Sequence, residues 1–275
     1  MSTQPVLAFI GAGNMARAII GGLLANQYPA ERIWATEPDA EKLIDLADQG
    51  LHTSTDNLTA VTAADVVILA VKPQVLKTVA CDLAPAVQTR QPLIMSVAAG
   101  ISSTSLQQWL GGNCAVVRCM PNTPALVQTG ASGLYATDNV SPDQRILAEQ
   151  IMAATGISLW VDTESQLDAV TAVSGSGPAY YFMVMEAMIA AGEQLGLSPD
   201  VARQLTLQTA LGAAKMANAS EFDPAELRRR VTSPKGTTEQ AIRCFSEDQL
   251  PAIFARGMQA CHDRSEELAR ELGDD

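Results

Sequence analysis

Apolar residues in the first part of the chain form short continuous runs separated by longer amphipathic segments. The runs are rich in β-branched residues, which predicts buried strands; they are VLAFIG, RIWATE, DVVILAV, PLIMSVA, CAVVRCM, SGLYAT and ISLWVD. The segments between them, such as MARAIIGGLLANQ and PQVLKTVACDLAPAV, have the spacing of helices that bury one face. Strands that alternate with helices in this way predict an α/β fold with a mostly parallel sheet.

The strand pattern stops after about Asp162, and the remaining sequence is helical in pattern. Helix starts are marked by Pro178, Ser198 and Asp223. At Asp223 the sequence DPAE places a capping residue, a proline and a glutamate at the N-cap, first and third helical positions. We therefore predict two domains, residues 1–163 with the sheet and residues 164–275 all helical. The alanine and glycine residues in stretches such as AMIAAGEQLG let helices approach closely. A bundle this small is stabilised by packing against a copy of itself. A homodimer or larger homo-oligomer is expected, with a monomeric alanine-rich bundle as the alternative.

Charge and composition narrow the class of protein. The 275 residues are 47% hydrophobic, which allows a large core, and the net charge of -12 argues against nucleic acid or an anionic membrane as a partner. No apolar run approaches about 18 residues and no basic segment precedes the first one, so a cytoplasmic location is expected. The five cysteines show no metal-binding spacing, which predicts reduced thiols and no metal site.

The sequence AFIGAGNMARAII carries the main chemical signal of the first domain. Gly11, Gly13 and Ala16 form a GxGxxA pattern between a predicted strand and a predicted helix, the arrangement of a Rossmann dinucleotide site. The glycines would permit a tight turn and close approach of a pyrophosphate, and the helix start would supply N–H donors. A purely structural glycine turn is the alternative. The predicted cofactor is NADPH or NADH, and the contact residues are Ile10, Gly11, Ala12, Gly13, Asn14 and Met15.

Two charged residues extend this predicted site. Glu37 ends the second predicted strand, where a carboxylate would accept hydrogen bonds from the adenosine ribose and repel a 2′-phosphate, which favours NADH. Lys72 follows the strand DVVILA, at the sheet edge where ligands bind in such folds. An exposed carboxylate and a solvated lysine remain the simpler interpretations.

The segment VTSPKGTTEQAI interrupts the helical part. Pro234 and Gly236 predict a turn into a helix, with Thr237 as N-cap and Gln240 at the third helical position forming a capping box. The unpaired N–H groups of the first turn would suit a carboxylate, although the loop could equally serve only as a cap.

Several segments together closely resemble pyrroline-5-carboxylate reductases over nearly the whole chain. They are FIGAGNMARAIIGGL, ILAVKPQ, SVAAGI, RCMPNTPALV, DAVTAVSGSGPAY, LGAAKM and VTSPKGTTEQAI. The resemblance implies reduction of 1-pyrroline-5-carboxylate, a cyclic imino acid, to L-proline by hydride from NAD(P)H. It implies that Ser233, Gly236 and Thr237 hold the carboxylate and that Thr238 contacts the imine nitrogen.

The resemblance also implies further contacts of the two domains. For the cofactor they are Asn57, Val71, Lys72, Pro73, Val97, Ala98, Ala99 and Asn122, and for the entrance to the substrate domain Glu164. Lys235 departs from the family, which often has glycine there, and Glu37 departs from the small polar residues common at its position. Two other functions stay open: a β-hydroxyacid-dehydrogenase-like oxidoreductase using Lys215, which shares a helix face with Asn218, and a non-catalytic dinucleotide-sensing dimer.

Overall fold

Eight strands form one sheet in the computed structural model, which describes residues 4–273. They are Leu7–Ile10 (β1), Ile33–Thr36 (β2), His52–Ser54 (β3), Val66–Leu69 (β4), Leu93–Ser96 (β5), Val116–Met120 (β6), Gly130–Ala136 (β7) and Gly156–Trp160 (β8). Their order across the sheet is β3-β2-β1-β4-β5-β6-β7-β8. Neighbouring strands are parallel except for the antiparallel pair β6 and β7. The mostly parallel sheet is therefore confirmed.

Helices follow most strands and then make up the rest of the chain. They are Asn14–Ala25 (α1), Ile44–Asp48 (α2), Asn57–Ala63 (α3), Pro73–Arg90 (α4), Ser103–Trp109 (α5), Pro142–Ala153 (α6), Gln166–Val170 (α7), Gly177–Gln194 (α8), Pro199–Ala219 (α9), Pro224–Arg230 (α10), Thr237–Glu247 (α11) and Leu250–Gly273 (α12). Short 3-10 turns cover Ala30–Arg32, Ala40–Leu43 and Thr123–Val127, and Thr171–Gly175 forms a π-helical turn.

The strand β3 is the one element of the sheet that the sequence pattern missed. Its three residues form no apolar run, because β3 lies at the sheet edge and His52 is exposed. The other seven strands coincide with the predicted runs. Most of them are recognisable because both faces of the sheet are covered there: along β1, Leu7 and Phe9 pack into one cluster while Ala8 and Ile10 pack into the other. The edge strand β8 differs, since Ile157 and Leu159 are exposed.

Packing divides the chain into two units at limits that differ from the sequence-based boundary. The first unit comprises residues up to 176 and from 261 onwards, and the second comprises residues 177–260. Residues 164–176 belong with the sheet, since the methyl groups of Val170 lie 2.7 Å from where a side-chain carbon on Gly133 would stand. The end of α12 belongs there too, where the Ser265 hydroxyl donates to Asp168 at 2.7 Å. The boundary at residue 163 reflects where the strand pattern ends and stays a prediction.

The second unit, residues 177–260, buries few of its own apolar side chains. Helices α8 and α9 approach closely at Gly192, where a side-chain carbon would stand 3.2 Å from Cβ of Ala202. Much of the remaining apolar surface is open, with Met183 at 72% exposure and Leu195 at 86%. Such a large apolar surface on one chain is typical of a protein that packs against a second copy. Among residues 4–273, no helix combines the length and the apolar character needed to cross a membrane.

Candidate active site

The glycine-rich loop joins β1 to α1 with the backbone geometry that a dinucleotide site needs. Gly11 has a φ of +96°, and a side-chain carbon there would stand 2.9 Å from the carbonyl oxygen of Ala70. Such a φ favours glycine, and the close strand leaves no room for a larger residue. Gly13 has an ordinary φ, but a side-chain carbon on it would meet nothing within 4 Å. The chain therefore leaves open space at Gly13.

The start of α1 offers free donors next to that space. Gly13 is the N-cap and cannot supply a capping side chain. Within residues 4–273, the N–H groups of Asn14, Met15 and Ala16 have no acceptor. Together with the helix dipole, these donors suit an anion such as a pyrophosphate. Ile10 and Ala12 are buried beneath the loop and hold its shape. These residues fit the phosphate portion of a dinucleotide.

Glu37 lies beside this loop, directly after β2. Its Oε2 accepts a hydrogen bond from the N–H of Ala12 at 3.3 Å. The loop thus holds the carboxylate at the place where Rossmann folds read the adenosine ribose. Asn57 lies close by, because its side-chain oxygen accepts a hydrogen bond from the Thr36 hydroxyl at 2.6 Å. This contact leaves the Asn57 amide nitrogen as the group that can donate to a ligand.

The carboxyl ends of β4 and β5 supply the next predicted contacts. Lys72 is exposed and is the N-cap residue of α4, with Pro73 at the first helical position and Val71 half-buried before it. The Lys72 ammonium has no ion-pair partner within the described part of the chain. After β5, the Val97 N–H donates to the carbonyl of Leu69 at 3.1 Å.

Two more loop residues after β5 complete this edge. Ala98 is buried, whereas Ala99 is exposed. Because β1, β4 and β5 are parallel neighbours, their carboxyl ends and the loops that follow them meet at one edge of the sheet. The structure therefore brings the predicted cofactor residues after these three strands together at that edge.

Glu164 and Asn122 make protein contacts that the sequence did not predict. Both carboxylate oxygens of Glu164 are engaged: the N–H and the hydroxyl of Ser103 each donate at 2.6 Å, and Nη1 of Arg118 donates at 2.8 Å. The Asn122 side chain bridges two backbone groups, accepting from the Ala131 N–H at 2.9 Å and donating to the Ser174 carbonyl at 3.0 Å. Both side chains thus hold loops in place, and their assignment to ligands stays a prediction.

The loop before α11, in the helical unit, corrects one sequence-based expectation. Thr237 is not the N-cap and forms no capping box with Gln240; the N-cap is Gly236, and Thr237 is the first helical residue. The turn formed by residues 233–236 accounts for this shift of the N-cap. The Gly236 N–H donates to the carbonyl of Ser233 at 3.0 Å, and a side-chain carbon on Gly236 would stand 2.8 Å from the Ser233 hydroxyl. A side chain at this position would press against the hydroxyl and the carbonyl of Ser233, which favours glycine as the N-cap.

The first turn of α11 is consequently open. In the described range, the N–H groups of Thr237 and Thr238 have no acceptor, and the Thr238 hydroxyl has no hydrogen-bond partner. Thr238 is exposed. Glu239, at the third helical position, accepts instead from the N–H of Lys235 at 2.8 Å. Free N–H donors and a free hydroxyl therefore occur side by side, and such donors at a helix start suit an anion.

Sequence reasoning missed one group of charged residues near the glycine-rich loop. The Arg17 side chain donates to the carbonyl of Ala12 at 3.0 Å and to both carboxylate oxygens of Asp45. These hydrogen bonds lower the pKa of Asp45 below its ordinary value. The position of Arg17 one turn after Gly13 was the available signal, but its partner 28 residues away could not be identified from spacing.

Comparisons with known proteins decide the family. A family model described as pyrroline-5-carboxylate reductase dimerisation matches residues 164–268, and one described as NADP oxidoreductase, coenzyme F420-dependent, matches residues 6–100. The curated pyrroline-5-carboxylate reductase of Pseudomonas aeruginosa is 56% identical over 274 residues, which covers 99% of this chain and 100% of that protein. The chain belongs to the pyrroline-5-carboxylate reductase family.

Solved structures of pyrroline-5-carboxylate reductases share the fold over almost the full length. The enzyme from Coxiella burnetii is 44% identical, with a TM-score of 0.94 over 97% of this chain and 99% of that one. The Plasmodium falciparum pyrroline carboxylate reductase, solved with NADP bound, is 25% identical, with a TM-score of 0.85 over 97% of this chain and 98% of that one. The family that the sequence motifs predicted is confirmed.

One departure from the pyrroline-5-carboxylate reductase pattern has a visible structural consequence. Lys235 stands where the resemblance led us to expect glycine in many members, and it adopts a φ of +62°. That left-handed conformation costs a residue with a side chain roughly 1 kcal/mol and costs glycine little. The turn therefore has a backbone shape that glycine would favour, although this chain has a lysine there.

Proposed function

We propose that this chain reduces 1-pyrroline-5-carboxylate to L-proline with hydride from NADPH or NADH, the last step of proline biosynthesis. The observation that carries the proposal is the open start of α11. There, the free N–H groups of Thr237 and Thr238 and the free hydroxyl of Thr238 occur in the segment that matches the family pattern. Membership of the family and the open glycine-rich loop support the same reaction.

The α11 loop has the groups needed to bind and orient a cyclic imino acid. Its unpaired N–H groups, with Ser233, Gly236 and Thr237 around them, would bind the substrate carboxylate through hydrogen bonds and the helix dipole. The oxygen of the Thr238 hydroxyl would accept a hydrogen bond from the protonated ring nitrogen. Because a protonated C=N bond already attracts hydride, the protein has no need to protonate a carbonyl oxygen, and orientation is its main contribution.

The first unit would bind the dinucleotide. The start of α1 suits the pyrophosphate, Glu37 suits an adenosine ribose, and Lys72 offers a cation at the sheet edge. When bound, the reduced nicotinamide supplies the hydride. Asn57, Val97–Ala99 and Asn122 would line the same cofactor site, as the resemblance implies. The Glu37 carboxylate favours NADH over NADPH, so a strong preference for NADPH in turnover efficiency would show that this interpretation of Glu37 is wrong.

A homodimer or larger homo-oligomer is the expected assembly, formed through the apolar surface of the helical unit. The support is the exposed apolar residues of α8 and α9, together with the dimerisation family model over residues 164–268. We also expect a cytoplasmic location and a small-molecule substrate. The net charge of -12 argues against a nucleic-acid partner.

The decisive experiment follows NAD(P)H absorbance while the protein is offered pyrroline-5-carboxylate, piperideine carboxylate and a panel of hydroxy acids. We expect oxidation of NAD(P)H with the cyclic imine. Turnover of hydroxy acids that depends on Lys215 would favour the β-hydroxyacid dehydrogenase alternative. Dinucleotide binding without any turnover would favour the sensing alternative.

Thr238 is tested by a pair of substitutions that differ in one group. Thr238→Val removes the hydroxyl and keeps the shape, whereas Thr238→Ser keeps the hydroxyl. Loss of one hydrogen bond to the charged ring nitrogen, worth about 1.5–3 kcal/mol, is expected to lower kcat roughly 10- to 100-fold in Thr238→Val. Cofactor affinity and melting temperature should stay as in the wild type. Unchanged turnover in Thr238→Val would remove the hydroxyl from the mechanism.

A further inference from the structure

Five charged residues next to the glycine-rich loop form what we call the adenosine-side cluster: Arg17, Glu37, Asp39, Lys42 and Asp45. The backbone of Ala12 links its two halves, because the Ala12 N–H donates to Glu37 at 3.3 Å and the Ala12 carbonyl accepts from Nε of Arg17 at 3.0 Å. The cluster is therefore attached directly to the loop that would bind the cofactor phosphates.

Both cations of the cluster are already engaged by protein groups. The Arg17 guanidinium donates to both oxygens of Asp45 and to the carbonyl of Lys42. The Lys42 ammonium lies 3.6 Å from a carboxylate oxygen of Asp39 and 3.9 Å from one of Glu37. Three carboxylates thus surround two cations, and the cluster is negative as a whole.

Such an arrangement is unfavourable for a 2′-phosphate. That group adds close to two negative charges, and proteins that bind NADP usually place an arginine near the ribose to receive it. The guanidinium binds phosphate and carboxylate through the same pair of parallel N–H donors. The Asp45 carboxylate therefore occupies the donors of Arg17 that a 2′-phosphate would use.

We propose that Asp45 determines the cofactor preference by occupying Arg17, and that it thereby selects against NADP(H). The inference rests on the proposed function and deepens its cofactor side. Glu37 repels the phosphate directly, whereas Asp45 acts by withdrawing the arginine that could bind it. The two effects are separable because the Asp45 carboxylate does not contact Glu37: its partner is Arg17, 28 positions earlier in the chain.

The test measures binding of NAD+ and NADP+ by isothermal titration calorimetry, without substrate. Asp45→Ala should lower the ratio of the NADP+ to the NAD+ dissociation constant about fivefold, the effect of one exposed charge pair. Asp48→Ala is the matched control, because Asp48 lies on the same helix and makes no contact with Arg17. It removes the same charge and should leave the ratio within error of the wild type.

A double-mutant cycle shows whether Arg17 mediates the effect. In an Arg17→Ala background, Asp45→Ala should no longer change the ratio, because there is no guanidinium to release. The gain in NADP+ affinity of the single variant should also shrink as salt is raised. Melting curves of each variant show that it is folded; if Arg17→Ala fails to fold, Arg17→Gln takes its place in the cycle.

Three outcomes would overturn the inference. The first is an unchanged ratio in Asp45→Ala, the second is an equal effect of Asp48→Ala, and the third is an undiminished effect when Arg17 is replaced. Failure of the proposed function is a separate result. A protein that binds both dinucleotides but reduces no cyclic imine would contradict the proposed function and leave the selectivity measurement intact.

Discussion

Replacing Glu164 decides whether this carboxylate binds substrate or holds the structure together. The resemblance assigns Glu164 to the entrance of the substrate domain, whereas the structure engages both of its oxygens with Ser103 and Arg118. The variant Glu164→Ala removes three hydrogen bonds at once, one of which is the ion pair with Arg118. It leaves the Arg118 guanidinium, only 13% exposed, without its carboxylate.

The expected loss of stability follows from these contacts and their burial. Breaking a fully buried ion pair by removing one partner costs about 3–5 kcal/mol. Because the Glu164 side chain is 24% exposed and water can partly replace it, we expect about 2–3 kcal/mol. For a protein of this size, that loss lowers the melting temperature by roughly 5–10 °C. Glu164→Gln keeps an acceptor for Ser103 but loses the charge, so about half of the effect is expected.

The assay combines thermal unfolding with steady-state kinetics. Glu31→Ala is the control, because Glu31 is exposed, carries the same charge and makes no hydrogen bond or ion pair with any residue in 4–273. We expect its melting temperature to remain within about 1 °C of the wild type. If Glu164→Ala melts like the control but shows a much higher KM for the imino acid, the stability argument is wrong. Glu164 would then be a substrate ligand, as the resemblance implies.

Two further predictions concern glycines and thiols. Gly13→Ala should leave the melting temperature unchanged, because its added carbon meets no protein atom. It should weaken NAD+ binding at least about tenfold, because that carbon enters the space left for phosphate. Gly11→Ala should instead lower the melting temperature, since Gly11 has a φ of +96° and lies against Ala70. Equal melting temperatures would contradict this distinction. Cys119, whose thiol pKa burial raises well above its ordinary value, should react with a thiol reagent only after unfolding, whereas the exposed Cys81 should react in the native protein. Rapid labelling of native Cys119 would contradict it.

Much of the sheet could be predicted because its strands are buried on both faces. Continuous apolar runs such as those of β1 and β4 occur only where helices cover both sides, so the pattern indicates the fold as well as the strands. The strand β3 escaped detection because an edge strand needs no such run. The glycine-rich loop was also predictable, since its chemistry depends on residues that are adjacent in sequence.

Contacts between distant positions could not be predicted from spacing. Glu164 binds Ser103 across 61 positions, and Asp45 binds Arg17 across 28. A single sequence shows that these residues are charged, but not which partner each one meets. The fold brings the partners together after the strands and helices have formed. The predicted role of Glu164 therefore came from resemblance alone, and the Arg17–Asp45 contact had no counterpart in the sequence argument.

The loop before α11 shows why an error of one residue in a helix start matters for function. A capping box with Thr237 would have satisfied two backbone donors and left fewer for a ligand. Instead, the cap is Gly236, which has no side chain, and the acid at the third helical position, Glu239, accepts from Lys235 outside the helix. Two side-chain contacts normally satisfy the free N–H groups at a helix start. Here the capping side chain is absent, and the acid at the third helical position binds a residue outside the helix. The N–H groups of Thr237 and Thr238 remain available for that reason, and a carboxylate is the kind of group that such donors bind.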